Sequence, residues 1–193
     1  NGPETMLFMG FAASAAALFC GRRRLIQGAL MLTAAMALFT AAMASATPRI
    51  AALQPVLSSR LLTVHVMLVM TSYIMFLLMA VLAAVGLSRR DLCDRMALTN
   101  SVLLVPAEFL LTAGIFVGAV WANQSWGRYW GWDPKETCAL VTMLIYAVSL
   151  HAASLRRLRR PRVLNRYLLL AIVSVLFTYF GANYLLPGLH SYA

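Results

Sequence analysis

The chain has 193 residues, of which 62% are hydrophobic and 11% charged, with a mean hydropathy of +0.78. No water-soluble core of this size requires so much apolar surface, so a soluble globular domain is excluded and an integral membrane protein is indicated. The net charge of +10 is gathered into arginine clusters beside apolar runs, a pattern that carries topology information and argues against nucleic acid as a partner.

A first apolar run, about Met6 to Cys20, is short for a span and ends against Arg22, Arg23 and Arg24. A second, about Leu25 to Ala46, has full length, and a segment with prolines, Thr47 to Arg60, leads into a third from Leu61 to Leu87 that carries His65 near its start. After Arg89, Arg90 and Arg95, a fourth run extends from about Leu98 to Trp121, past Pro106 and Glu108. A fifth begins near Thr137 and reaches His151 and an arginine cluster from Arg156 to Arg166. A sixth, about Leu164 to Leu186, breaks at Pro187-Gly188 just before His190.

Twelve of the sixteen Lys and Arg residues fall in three alternate loops, and the positive-inside rule places those loops in the cytoplasm. The sequence therefore predicts an all-α, polytopic integral membrane protein of about six transmembrane helices with both termini outside. The roughly ten-residue alternation of a β-barrel is absent. Cys20, Cys93 and Cys138 are isolated from one another, so neither a disulfide nor a zinc site is implied. The chain starts at Asn1 without an initiator Met or a cleavable signal pattern, and is read as a processed piece or part of a longer polypeptide.

The predicted topology puts one unusual stretch outside, between the fourth and fifth runs: Trp126-Gly127-Arg128-Tyr129-Trp130-Gly131-Trp132-Asp133-Pro134-Lys135-Glu136. An interfacial aromatic belt explains one or two of these rings. Three Trp and a Tyr within seven positions, spaced by glycines, suit a large planar ligand with polar substituents, of which a tetrapyrrole is the leading candidate.

His65 and His190, 125 positions apart, are predicted on the same outer side as this loop. Each alone reads as an interfacial histidine. Together with the loop they read as two axial ligands of one haem iron. His151 falls in the inner half of the fifth run, where an ionisable group is either a functional candidate or a histidine bonded to a neighbouring carbonyl. Glu108 is at comparable depth and is either its partner or a protonated, packed side chain.

The Trp126–Glu136 stretch resembles the tryptophan-rich "WWD" signature of the haem-handling proteins of cytochrome c biogenesis. Gly118-Ala-Val-Trp-Ala-Asn123, Leu144-Ile-Tyr-Ala-x-x-Leu-His151 and Gly188-Leu-His-Ser-Tyr192 are similar to the CcsA branch, the membrane component of the System II cytochrome c synthase, related to CcmC and CcmF. The resemblance runs from about Glu4 to the end. It implies one transmembrane haem-handling domain over residues 1–193, part of a longer chain or complex, with an external WWD loop at 121–136. It also implies haem b as substrate and ligand, and a bacterial inner (plasma) membrane location with the haem site facing the periplasmic or outer side.

By the same resemblance, His65 and His190 ligate the iron, while Trp121, Trp126, Gly127, Tyr129, Trp130, Gly131, Trp132, Asp133, Pro134 and Glu136 hold the macrocycle. His151 is associated with haem passing across the membrane. The implied activity is haem export and presentation for thioether attachment to the Cys-x-x-Cys-His segment of apocytochrome c, as a synthase component that works by positioning. The implied partners are apocytochrome c, a CcsB-type membrane protein with a periplasmic domain, separate or fused upstream, and the lipid bilayer.

Cys138 stands where the family pattern has a bulky apolar residue, and Glu108 belongs to no family motif. A haem chaperone of the CcmC type, which hands haem over without catalysing attachment, is the alternative. A b-type electron-transfer cytochrome is disfavoured, because it would need a facing histidine pair within the membrane and only His151 is available there.

Overall fold

The computed structural model describes residues 2–19, 24–44, 59–182 and 185–186, with the backbone alone for 2–6, 19, 25, 36 and 39–44. Six α-helices occur among the described residues, and no strand: α1 Gly2–Phe19, α2 Arg24–Ala44, α3 Arg60–Ser88, α4 Cys93–Trp126, α5 Pro134–Leu150 and α6 Pro161–Leu176. Two compact units divide the chain, residues 1–58 and residues 59–193.

In the first unit α1 pairs with α2 through small side chains. Ala13, Ala17, Ala29, Ala34 and Ala37 are buried, and a Cβ on Gly10 would stand 2.8 Å from Leu38 Cδ2, so the backbones lie close. In a bilayer the hydrophobic effect does not drive helices together, and close packing of small residues is what remains to do so. The buried Thr33 hydroxyl donates to Ala29 O at 2.9 Å, which satisfies it within its own helix.

The second unit is a four-helix bundle in which α3 and α4 make the most extensive pairing and α6 packs against both. A single 3-10 turn, Arg90–Leu92, reverses the chain between α3 and α4. There the Arg89 guanidinium hydrogen-bonds Asp91 (Nε to Oδ1, 3.3 Å), an exposed pair that contributes little stability. Phe76, Met79, Leu82, Met96, Leu111, Leu168 and Tyr146 fill the core.

Polar seams cross the bundle. Ser72 Oγ donates to Ala107 O at 2.9 Å, Asn100 Nδ2 to Asn165 Oδ1 at 3.3 Å, and Asn165 Nδ2 to Cys93 O at 3.1 Å. Such bonds pin the rotation of one helix against another where apolar contacts alone would allow slippage. Leu98, Val102, Val105, Phe109 and Phe116 instead turn outward from α4, as lipid-facing residues do.

Three helical stretches, Arg60–Ser88, Arg90–Trp126 and Pro161–Gly181, are long and apolar enough to cross a membrane, and two shorter apolar stretches lie at Leu7–Leu18 and Ile26–Ala35. The chain is a polytopic all-α membrane protein, as its sequence predicts.

Several boundaries differ from the sequence reading, with α4 starting at Cys93 and not about Leu98, and α5 at Pro134 and not Thr137. The fourth run was expected to end at Trp121, but α4 continues to Trp126 because Asn123, Gln124 and Ser125 are tolerated in a helix until Gly127 supplies a left-handed residue (φ 72°). The sixth run begins earlier than Leu164, since Pro161 at the first helical position needs no hydrogen-bond partner for its nitrogen. It then loosens into a π turn at Phe177–Gly181. Within this turn the Thr178 hydroxyl lies 2.8 Å from Ser174 O, 3.2 Å from Cys138 O and 2.9 Å from Thr142 Oγ1.

The α3–α4 contact depends on Gly114, where a Cβ would stand 2.7 Å from Val69 Cγ2 and 3.3 Å from Val69 N. Gly114→Ala is expected to destabilise the fold by about 1–3 kcal/mol through overpacking. Gly28→Ala, which meets nothing within 4 Å, is expected to be neutral or slightly stabilising. Thermal unfolding of both variants in detergent checks this, and equal midpoints would refute the close-approach argument.

Candidate functional site

One end of the second unit carries the aromatic stretch. α4 closes on Gly127, whose N–H donates to Asn123 O at 2.9 Å. α5 opens at Asp133 with a capping box: Asp133 Oδ2 accepts from Lys135 N at 3.1 Å, and Glu136 Oε2 accepts from Asp133 N at 3.2 Å. Pro134 takes the first helical position. The irregular segment of the 121–136 stretch is thus residues 127–133, and its two sides belong to helices.

Both carboxylates of the segment are engaged in holding its backbone. Glu136 Oε2 also accepts from Gly131 N at 2.8 Å, so one oxygen ties the middle of the loop to the first turn of α5. Asp133 is buried. A Cβ at Gly131 would lie 3.1 Å from Arg128 Nε, so this glycine lets the guanidinium lie against the loop backbone. Trp132 adopts a positive φ of 56°, a conformation a bulky residue holds only when its surroundings enforce it.

The aromatic rings fall into two layers. Trp121 is buried and meets Trp126 edge-on, with centroids 4.8 Å apart, so it supports the cluster from beneath. Trp130 and Trp132 form a second edge-on pair at 5.9 Å. Trp132 is 73% and Tyr129 60% exposed, apolar area that a flat ligand or a membrane interface would cover.

His65 reaches this end of the bundle from α3. Its Nδ1 lies 2.7 Å from Gly114 O, and because a carbonyl only accepts, Nδ1 carries the proton. In a neutral ring so bonded the lone pair is on Nε2, the arrangement that second-shell carbonyls impose on metal-ligating histidines. A Cβ at Gly118 would stand 2.6 Å from His65 Nδ1, so the ring occupies the space that the missing Gly118 side chain leaves, one helical turn from the Gly114 carbonyl it meets. Gly118 is eight residues before Trp126, about 12 Å of helix rise from the loop.

His151 is placed elsewhere. It caps the far end of α5, about 26 Å of helix rise from Pro134, is exposed, and lies with Nδ1 3.0 Å from Ala147 O. That bond to a neighbouring carbonyl is the structural alternative the sequence left open. Glu108 is buried on α4 and is treated below. His190 lies outside the described residues, so its expected convergence on His65 is carried into the proposal.

Gly114 went unnoticed in the sequence as part of a seat for His65. The signal was present as Gly114-Ile-Phe-Val-Gly118, a G-x-x-x-G spacing inside an apolar run. Among the described residues no group of three or more His, Cys, Asp or Glu side chains is arranged to hold a bare metal ion.

Loss of the α5 cap should loosen the loop. Asp133→Ala is expected to cost about 1 kcal/mol of stability, while Asp133→Asn, which retains a capping acceptor, costs less. Thermal unfolding together with protease sensitivity between residues 127 and 133 measures both, and an Ala variant as stable as the parent would show that the cap does not hold the loop.

Comparison with known proteins bears on this arrangement. A family model described as "Cytochrome C assembly protein" matches residues 1–190. Protein NrfI of Wolinella succinogenes is 38% identical over 202 residues, a match that covers 98% of this chain and 22% of NrfI. Cytochrome c biogenesis protein CcsA of Gloeobacter violaceus is 45% identical over 112 residues, 57% of this chain and 32% of that protein. CcsA of Trichormus variabilis is 53% identical over 85 residues, 43% of this chain and 23% of its own length. The chain thus spans between about a fifth and a third of these curated relatives, as the shares of 22%, 32% and 23% indicate. No solved structure matches. With its family model matched over nearly the whole length, the chain belongs to the cytochrome c assembly protein family.

Proposed function

We propose that this chain binds haem at the end of the bundle formed by residues 127–133 and His65, and presents it for covalent attachment to apocytochrome c. The observation that carries the reading is His65. Its ring lies against Gly118 with Nδ1–H given to the Gly114 carbonyl, so that in the neutral imidazole the lone pair for iron is on Nε2, at the same end as the exposed Trp132 and Tyr129. This donor set fits one axial position and an aromatic cover. His190 supplies the second axial ligand in the proposal.

Haem contributes the vinyl groups. In thioether formation a cysteine S–H adds across a vinyl C=C: the S–C bond forms at one carbon, the hydrogen goes to the other, and no net oxidant or reductant is consumed. The chain's own part is positioning, which converts a slow bimolecular addition into an oriented one. Its loop carboxylates are occupied as backbone acceptors, so Asp133 and Glu136 serve rigidity here and not proton abstraction. The thiols that add to the vinyl groups are the apocytochrome's own in this proposal. His151, at the opposite end of α5 beside the arginine-rich segment, belongs to a transient inner haem site in this scheme, with partners supplied from beyond the chain.

His65→Gly should lower haem retention and open a coordination position that added imidazole refills, restoring the absorption spectrum. Failure of imidazole to restore it would argue against ligation by His65. Coexpression with an apocytochrome separates a synthase component from a chaperone, since only the former yields covalently attached haem.

The orientation proposed here puts residues 127–133 outside and Arg156 to Arg166 in the cytoplasm. Cysteines introduced at Ser125 and Ser154 should be labelled by impermeant reagents from opposite sides of the membrane. Labelling from one side would reverse or dissolve the orientation.

A further inference from the structure

The bundle interior contains two buried polar atoms that the haem reading does not use. Glu108 on α4 is 6% exposed and Tyr146 on α5 is 0% exposed. Neither Glu108 Oε2 nor the Tyr146 hydroxyl has a hydrogen-bond partner among the described residues. Ser72 of α3 donates to Ala107 O, next to Glu108, and lies one helical turn from Phe76, on which the Tyr146 ring stacks, so α3 brings both residues to the same level of the bundle. Tyr146 is held there by its ring, which stacks on Phe76 of α3 with centroids 3.7 Å apart and planes 18° from parallel. The Tyr167 hydroxyl donates to Ile145 O at 2.6 Å and still has lone pairs to offer.

The helices around Glu108 and Tyr146 carry no arginine or lysine over their central stretches. Arginine and lysine are absent between Arg60 and Arg89 on α3, between Arg95 and Arg128 on α4, between Lys135 and Arg156 on α5, and after Arg166 on α6. Arg166 itself is exposed. An ionised carboxylate without a partner in low dielectric is heavily penalised, and the group takes up a proton instead. A neutral acid has an O–H to donate, a phenol has an O–H and two lone pairs, and a water molecule with two to four polar neighbours is the object that satisfies both.

We propose that Glu108 and Tyr146 form an intramembrane proton-holding site that takes water as its ligand: Glu108 stands as the neutral carboxylic acid, and one water molecule bridges it to the Tyr146 hydroxyl, with Tyr167 as a further acceptor. The site gives the bundle interior an exchangeable proton on a helix otherwise without titratable groups between Arg95 and Arg128. It stands independently of haem binding, since none of its groups touches His65 or the 127–133 segment in any contact described above.

Infrared difference spectroscopy of the purified protein in lipid nanodiscs tests it, without added haem. A protonated-carboxyl C=O band is expected that shifts in D2O, disappears in Glu108→Gln and moves to higher frequency in Tyr146→Phe, a variant that retains the stack on Phe76. A water O–H band sensitive to H2(18)O is expected as well, lost in Tyr146→Phe. No carboxyl band removed by Glu108→Gln means that Glu108 is ionised and overturns the proposal. A band unmoved by Tyr146→Phe, or one without an 18O-sensitive water band, overturns the bridged site.

Discussion

The close approach of α3 and α4 is the contact on which the rest of the second unit depends. Lipid tails are as apolar as leucine, so burial against water gives these helices no reason to associate, and what remains is surface fit plus hydrogen bonds across the gap. Gly114 and Gly118 remove two side chains from α4, and Val69, Leu68 and His65 of α3 fill the space. The same absence of Cβ atoms that brings the backbones together exposes the Gly114 carbonyl to the imidazole. Helix packing and the orientation of the His65 ring thus depend on the same stretch of α4, and a change made for either is felt by both.

The loop at the end of α4 shows a comparable economy with charge. An acidic residue beside an aromatic cluster invites a catalytic reading, yet Asp133 and Glu136 direct their oxygens at backbone N–H groups of residues 131, 133 and 135. Charge-assisted bonds to backbone N–H groups are among the stronger ones available to a loop, and they also place negative charge at the start of α5, where the helix dipole favours it. The stiffness so gained holds Trp132 at a positive φ. A flexible loop would relax that strain and lose the presentation of the ring.

Much of this was legible in the sequence, because the dominant signals are of low order. Hydropathy marks the helices, since a membrane demands continuous apolar length, and the density of aromatics between Trp126 and Trp132 marks the candidate site. The N-terminal signal of α5, Asp-Pro-x-Glu, is a capping pattern readable by eye. What stayed hidden depends on which residues face each other. Gly114 matters only because His65 and Val69 arrive opposite it, and no one-dimensional property of α4 announces that. The extension of α4 past Trp121 was missed because hydropathy falls before helicity does, and the orphaned Tyr146 hydroxyl is invisible until its neighbours are known.

The π turn at Phe177–Gly181 has a geometric consequence for whatever follows it. A widened turn accommodates one residue more than an α turn, and at 3.6 residues per turn one residue is worth about 100° of rotation about the axis. The turn therefore acts as a phase shifter, fixing the angle at which the chain departs from α6. Its ring and hydroxyl anchors keep it from annealing into regular helix: Phe177 sits where a Cβ on Gly181 would need to be, 2.7 Å away, and Thr178 is tied to α5 through Thr142 and Cys138. A residue lost within this turn is consequently not equivalent to one lost outside it, because its loss rotates the end of the helix by roughly 100° about the axis.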